Sequence, residues 1–193
     1  MNNKLPPLIL VTGAANSGKS EWAEYLAIKT QQPLIYIATG QKNESDPEWM
    51  EKIEVHQKRR TSQWQTWEIP QELPSAITQI PVDSCTLIDS LGTWVANYLE
   101  AEDALWQKQT EELIFNLQNA QSSPIILVAE ETGWGVVPAY ELGRLFRRRL
   151  GILTRQIGTI ADRVYLVVGG YAVDVSQIGI KIGLAEKAFS VNS

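Results

Sequence analysis

The chain has 193 residues, with 17 basic and 22 acidic side chains and a formal net charge of −5. That balance excludes a protein built as a nucleic-acid binder, which needs a basic surface. Cys85 is the only cysteine, which excludes an intrachain disulfide and fits a reducing compartment. The length suits one α/β domain over 1–193. Leu5-Pro6-Pro7-Leu8 is too short and too broken by proline for a signal-peptide core. No apolar run is long enough to span a bilayer, so the expectation is a cytoplasmic protein.

In chain order, the apolar run over 8–11 predicts a buried strand. Gly13-Ala14-Ala15-Asn16-Ser17-Gly18-Lys19-Ser20 follows and fills every fixed position of G-x-x-x-x-G-K-[ST], the phosphate-binding P-loop. Trp22, Ala23, Leu26 and Ala27 then recur at helical spacing within 20–30. A strand, this loop and a helix are what the chemistry requires. Glycines let backbone N–H groups turn inward around phosphate oxygens, and the helix N-terminus adds partial positive charge. In such a loop Lys19 reaches the β- and γ-phosphates and the Ser20 hydroxyl ligates Mg²⁺.

A second strand is expected over 34–38, a polar loop over 41–46 and a helix over 47–60. The helix carries His56, the only histidine. Lys52, His56 and Arg60 stand at i, i+4 and i+8 and share a face. Neighbouring cations keep an imidazole neutral and nucleophilic near pH 7, and they also attract phosphates. The same pattern describes a solvated histidine on a basic helix, and the residues alone leave both readings open. Trp67-Glu68-Ile69 reads as a short extra strand. The run over 85–88 reads as a buried strand ending in Asp89, an acid placed to order Mg²⁺ beside the loop serine.

Helices are expected over 91–100 and 106–119, a strand over 125–129, and a long helix over 138–161. Glu130 and Glu131 follow the strand, where open α/β sheets bind ligands, and Glu131 is the better candidate. Arg144, Arg147, Arg148 and Arg149 form a basic patch that reads either as a phosphate-facing surface or as a solvated helix face. A strand over 164–168 precedes an edge hairpin and a loose C-terminus. Strands alternating with helices predict a mostly parallel sheet covered on both faces. Seven tryptophans serve core packing for the most part, although Trp49, Trp64, Trp94 or Trp134 would suit a large flat ring.

Several motifs, in order, resemble the adenosylcobinamide kinase / adenosylcobinamide-phosphate guanylyltransferases of cobalamin assembly. They are Val11-Thr12-Gly13 running into Ser17-Gly18-Lys19-Ser20, then Tyr36-Ile37-Ala38-Thr39, then Ile53 and His56 with Arg60, Trp64 and Glu68 at four-residue steps. Asp89-Ser90-Leu91 with Trp94 and Asn97 follows. Glu131, Gly133, Gly135 and Val137-Pro138, then Arg144, Phe146-Arg147 and Ala161-Asp162-Arg163-Val164 complete the set.

The resemblance implies a RecA-like P-loop fold, a homotrimer with sites between subunits, and a two-step enzyme acting on a corrinoid. ATP or GTP phosphorylates adenosylcobinamide. A histidine then attacks the α-phosphorus of GTP, and the guanylyl-histidine passes GMP to the phosphorylated corrinoid. The matching nucleophile is His56. The implied nucleotide contacts are Gly13 to Ser20, Glu21, Ala38, Thr39, Gly40, Gln57, Lys58, Arg59, Arg60, Glu68 and Asp89, with Lys19 and Asp89 also catalytic and Ser20 and Asp89 holding Mg²⁺.

The chain departs from the family pattern in ways that touch the acceptor side more than nucleotide binding. Asn16 replaces an arginine, Glu130 an asparagine, Arg148 an aspartate, and Thr154-Arg155 an Asn-Gln pair; the tail over 170–193 also differs. Two other classes fit the P-loop: a kinase or NTPase for another small molecule, and a nucleotide-binding subunit without turnover.

Overall fold

The computed structural model describes residues 5–41, 62–120 and 123–182. Seven strands form one sheet: β1 (Leu8–Gly13), β2 (Leu34–Ala38), β3 (Trp64–Glu68), β4 (Cys85–Asp89), β5 (Ile125–Glu130), β6 (Arg163–Val168) and β7 (Tyr171–Asp174). Their spatial order is β3-β2-β4-β5-β1-β6-β7. Every neighbouring pair is parallel except β6 and β7. The described helices are α1 (Lys19–Ile28), α2 (Leu73–Ile77), α3 (Leu91–Ala96), α4 (Asp103–Asn119), α5 (Glu141–Ile160) and α6 (Val175–Ile178). A parallel β6-β1-β5-β4-β2 array with a P-loop after β1 is the RecA-like arrangement.

The central strands read as unbroken apolar runs because both faces are covered. Alternate residues part company. Leu8 and Leu10 join the core under α2, α3, α4 and α5, together with Trp94, Leu113 and Leu153. Ile9 and Val11 join the core under α1, with Ala23, Leu26 and Leu87. Cys85 belongs to the second core; burial pushes its thiol up to about 12, so it packs as a small hydrophobe and stays protonated.

The predicted edge hairpin is present. Gly169 and Gly170, with φ of 58° and 82°, join β6 to β7. Positive φ at both central residues is what a two-residue type I′ hairpin turn requires.

Four boundaries differ from the sequence expectations by three residues or more, among them the helix expected over 106–119, which begins at Asp103. The short strand begins at Trp64, earlier than position 67, because parallel pairing with β2 runs from Leu34–Trp64 to Ala38–Glu68. The helix expected over 91–100 ends at Ala96: the Asn97 side-chain amide donates to Thr39 O and Pro70 O, and the Tyr98 carbonyl is taken by Arg149. The helix expected from position 138 begins at Glu141, because Tyr140 is extended and Arg144 binds the Pro138 and Ala139 carbonyls. The helix expected over 47–60 lies outside the described residues.

Candidate nucleotide site

The P-loop spans the turn between β1 and α1, and its sequence fixes its shape. A Cβ on Gly13 would stand 2.5 Å from Ser17 Oγ and 2.6 Å from Val167 O, so only glycine fits. Gly18 has φ 89° and caps α1 in the left-handed region, which glycine adopts without steric cost. Asn16 has φ 57°, and asparagine is among the few other residues that tolerate it. The departure at this position therefore suits the backbone. Ala14, Ala15 and Asn16 are exposed at the tip, whereas Lys19 is buried. Its Nζ reaches back over the loop to Ala14 O at 3.3 Å, a position from which it meets an anion held by the loop. Ser20 follows in the first turn of α1, and Glu21 is exposed beside it.

The loop is tied to the strand beside it. Glu131 donates its backbone N–H to Gly13 O at 2.8 Å. Asp89 ends β4, in register with Ala38 of β2 and Val128 of β5. β4 lies two strand spacings from β1, about 10 Å. The acid and the loop thus border the same carboxyl edge, the edge at which open α/β sheets bind ligands. The Asp89 carboxylate accepts a hydrogen bond from the Tyr36 hydroxyl at 3.2 Å.

Immediately after Asp89 the chain is held by a dense polar network. Ser90 caps α3, with a reciprocal capping box to Thr93. The buried Thr39 hydroxyl lies 2.6 Å from Ser90 O and 3.1 Å from Ser90 N. Glu130, at the end of β5, accepts from Ser90 Oγ at 2.6 Å and from Gly92 N at 3.0 Å. A Cβ on Gly92 would fall 2.0 Å from the Glu130 carboxylate, so Gly92 is the space that carboxylate needs.

A model of the cobinamide kinase / cobinamide phosphate guanyltransferase family matches residues 9–175. The chain belongs to this family. Two relatives are each 35% identical to it. One is the bifunctional adenosylcobalamin biosynthesis protein CobP of Pseudomonas aeruginosa, aligned over 83% of this chain and 92% of its own. The other is the bifunctional adenosylcobalamin biosynthesis protein CobU of Escherichia coli K12, aligned over 87% of this chain and 99% of its own. Among solved structures, a Pyrococcus horikoshii OT3 protein shares the fold at a TM-score of 0.51 and 6% identity, covering 88% of this chain and 85% of that one.

For this family member the structure brings Gly13 to Ser20, Asp89, Ala38, Thr39 and Glu68 to one edge of one sheet, with Gly40 following Thr39. Glu68 is exposed at the end of β3, whereas the Thr39 side chain is wholly committed to α3. His56, Gln57, Lys58, Arg59 and Arg60 lie outside the described residues. The arginine patch divides. Arg149 is buried, donating to Tyr98 O at 2.6 Å, Ala101 O at 3.2 Å and Asp103 Oδ1 at 2.7 Å beneath the Trp106 ring. Arg144, Arg147 and Arg148 lie on the outer side. Trp94 is fully buried, with its indole N–H on Gln71 O, and so has no surface for a ring to stack on. Trp134 is exposed.

Sequence reasoning favoured Glu131 and missed the role of Glu130. The available signal was Ser90 with Thr93 three residues on, a helix start beside which an acid is favourable. Glu130→Ala removes an acceptor from two donors at the start of α3. It is expected to cost about 1–3 kcal/mol, read as a lowered thermal midpoint. Glu130→Gln, which accepts from Gly92 and donates to Ser90, is expected to recover most of that loss. Equal midpoints for wild type and Glu130→Ala would show that the network contributes nothing.

Proposed function

We propose that this chain is the bifunctional cobalamin-assembly transferase, phosphorylating adenosylcobinamide and then transferring GMP from GTP to give adenosylcobinamide-GDP. The observation that carries the reading is the fully formed P-loop, with Lys19 folded over it and Asp89 on the same sheet edge, in a chain of this family. In the first step the hydroxyl of the aminopropanol arm attacks the γ-phosphorus of ATP or GTP. The β–γ bridging oxygen leaves with the nucleoside diphosphate, and the hydroxyl proton passes to solvent. The work is positioning and charge stabilisation, which the loop N–H groups and Lys19 supply.

In the second step a His56 ring nitrogen bonds to the α-phosphorus of GTP and pyrophosphate departs. A phosphate oxygen of the corrinoid then displaces the histidine, so the P–N bond breaks as the new P–O–P link forms. Gln57, Lys58, Arg59, Arg60 and Glu68 are the further nucleotide contacts under this reading.

Mg²⁺ fits as a partner of the nucleotide. Ser20 and Asp89 offer a hydroxyl and a carboxylate oxygen, hard donors of the kind Mg²⁺ takes in ones and twos beside phosphate and water. No group of three or more His, Cys, Asp or Glu side chains able to hold a metal occurs among the described residues. Bound there, Mg²⁺ would neutralise charge on the phosphates. Asp89→Asn is accordingly expected to depress Mg²⁺-dependent turnover more than metal-free nucleotide binding. An equal loss of both would make Asp89 a direct nucleotide contact.

The same reading makes the protein a single-domain homotrimer of the cytoplasm; no helix among the described residues is long and apolar enough to cross a membrane. The direct test is exposure to [α-³²P]GTP. The reading expects an acid-labile, base-stable label on His56, and a protein that turns over GTP without ever taking label would refute the guanylyl-histidine step.

A further inference from the structure

The outer face of α5 and the loop after β5 border a shallow, open groove of about 540 Å³ that the two-step reading leaves unused. Four arginines line it: Arg144, Arg147, Arg148 and Arg155. Their spacings of three, four and seven residues put them along one side of the helix. The residues lining the groove include these four arginines and no acid; Glu131 stands at its Gly133 rim and Glu141 beside Arg144 and Arg148, so cations outnumber acids where the groove opens. Arg144 and Arg147 are braced by the loop through the carbonyls of Ala139 and Gly133, and a guanidinium so held still has donors to offer. Arg148 and Arg155 are exposed.

Gly151 lies in the middle of this stripe. Glycine is unfavourable inside a helix, and packing within the chain does not require it, since a Cβ there would meet nothing within 4 Å. The groove floor is bare backbone, open to close approach from outside. Its walls are apolar: Val137 is 64% exposed and Ile152 48%, with Trp134 on the same loop at 72%.

The groove also lies beside the P-loop. Gly133, on its rim, is two residues from Glu131, whose N–H holds Gly13 O. Two residues of chain span at most about 7 Å. The Gly133 end of the groove therefore lies near the start of the loop.

A cationic stripe between apolar walls, next to the site of phosphoryl transfer, fits a phosphomonoester carried on a large apolar body. We infer that the groove binds the phosphorylated aminopropanol arm and adjoining ring edge of the corrinoid, holding the acceptor for GMP transfer. The volume falls within the usual range for small-molecule sites and takes part of a corrinoid, leaving the rest outside. This rests on the proposed function for the identity of the ligand.

The test compares wild type with Arg148→Glu/Arg155→Glu and, separately, Gly151→Leu, which fills the floor without touching a charge. Transfer kinetics are measured with adenosylcobinamide phosphate, alongside GTP labelling and molecular mass in solution. Both variants are expected to raise KM for the phosphorylated corrinoid, the charge reversal by at least about tenfold, the scale of a lost charge-assisted hydrogen bond. GTP labelling and mass should stay as in wild type. An unchanged corrinoid KM overturns the inference and leaves the two-step activity standing. Loss of GTP labelling would make the occupant the nucleotide, and a changed mass would make it a second copy of the chain; either overturns the corrinoid assignment. If the wild-type protein itself takes no phosphorylated corrinoid, the proposed function fails and the inference falls with it.

Discussion

His56→Ala is expected to abolish labelling by GTP and reduce adenosylcobinamide-GDP formation to background, while part of the kinase activity survives. The two steps ask different things of the residue. Phosphoryl transfer to a hydroxyl proceeds by positioning and electrostatic stabilisation and needs no covalent histidine. Guanylyl transfer through an enzyme-bound intermediate does need one, because the nucleophile divides one difficult displacement into two. No other histidine exists in the chain to substitute. Lys58, Arg59 and Arg60 remain in the variant to offer charge to phosphates, so nucleotide affinity should fall less than transfer. The check is parallel assay of label incorporation, phosphorylated corrinoid and final product. Product formation at the wild-type rate would remove His56 from the mechanism.

Lys19→Ala is expected to remove both activities together. The Lys19 ammonium is buried against the loop with Ala14 O as its hydrogen-bond acceptor in the structure. Removing it costs little of the fold and most of the charge aimed at the phosphates. Loss of a hydrogen bond between charged groups, about 1.5–3 kcal/mol, corresponds to roughly ten- to 150-fold in nucleotide affinity. Turnover should fall further, because charge at the phosphates shifts in the transition state. Calorimetric titration with GTP, paired with a thermal melt, separates the two effects. Unchanged affinity in a folded Lys19→Ala protein would remove the P-loop reading altogether.

The sheet and the loop were legible in the sequence for identifiable reasons. Strands covered on both faces leave unbroken apolar runs, as at 125–129, and the P-loop demands glycine where a Cβ would strike Ser17 and Val167. An edge strand is harder to bound. In β3, Gln65 and Thr66 are exposed and only the tryptophans pack, so its start carried little signal. α2 (Leu73–Ile77) has no counterpart among the expected helices; its Pro74 stands in the first turn, where proline costs no hydrogen bond.

Charge in the sequence does not reveal direction. Arg147, Arg148 and Arg149 are neighbours in the chain, yet Arg149 shares the buried stripe with Leu150, Leu153 and Ile157 and closes the turn after α3. Thr39 and Asn97 belong to motifs on which the family resemblance rests, and their polar atoms join the ends of β2, β4 and α3. A motif residue can thus serve the shape of a site without facing the ligand, and only the three-dimensional neighbours tell the two roles apart.

The central claim is tested most directly by incubating the purified full chain with adenosylcobinamide, ATP, GTP and Mg²⁺, then weighing the corrinoid by mass spectrometry. The account predicts two new species: adenosylcobinamide phosphate, and adenosylcobinamide-GDP formed only when GTP is present. A corrinoid recovered at its starting mass, from a folded protein that binds GTP, would contradict it.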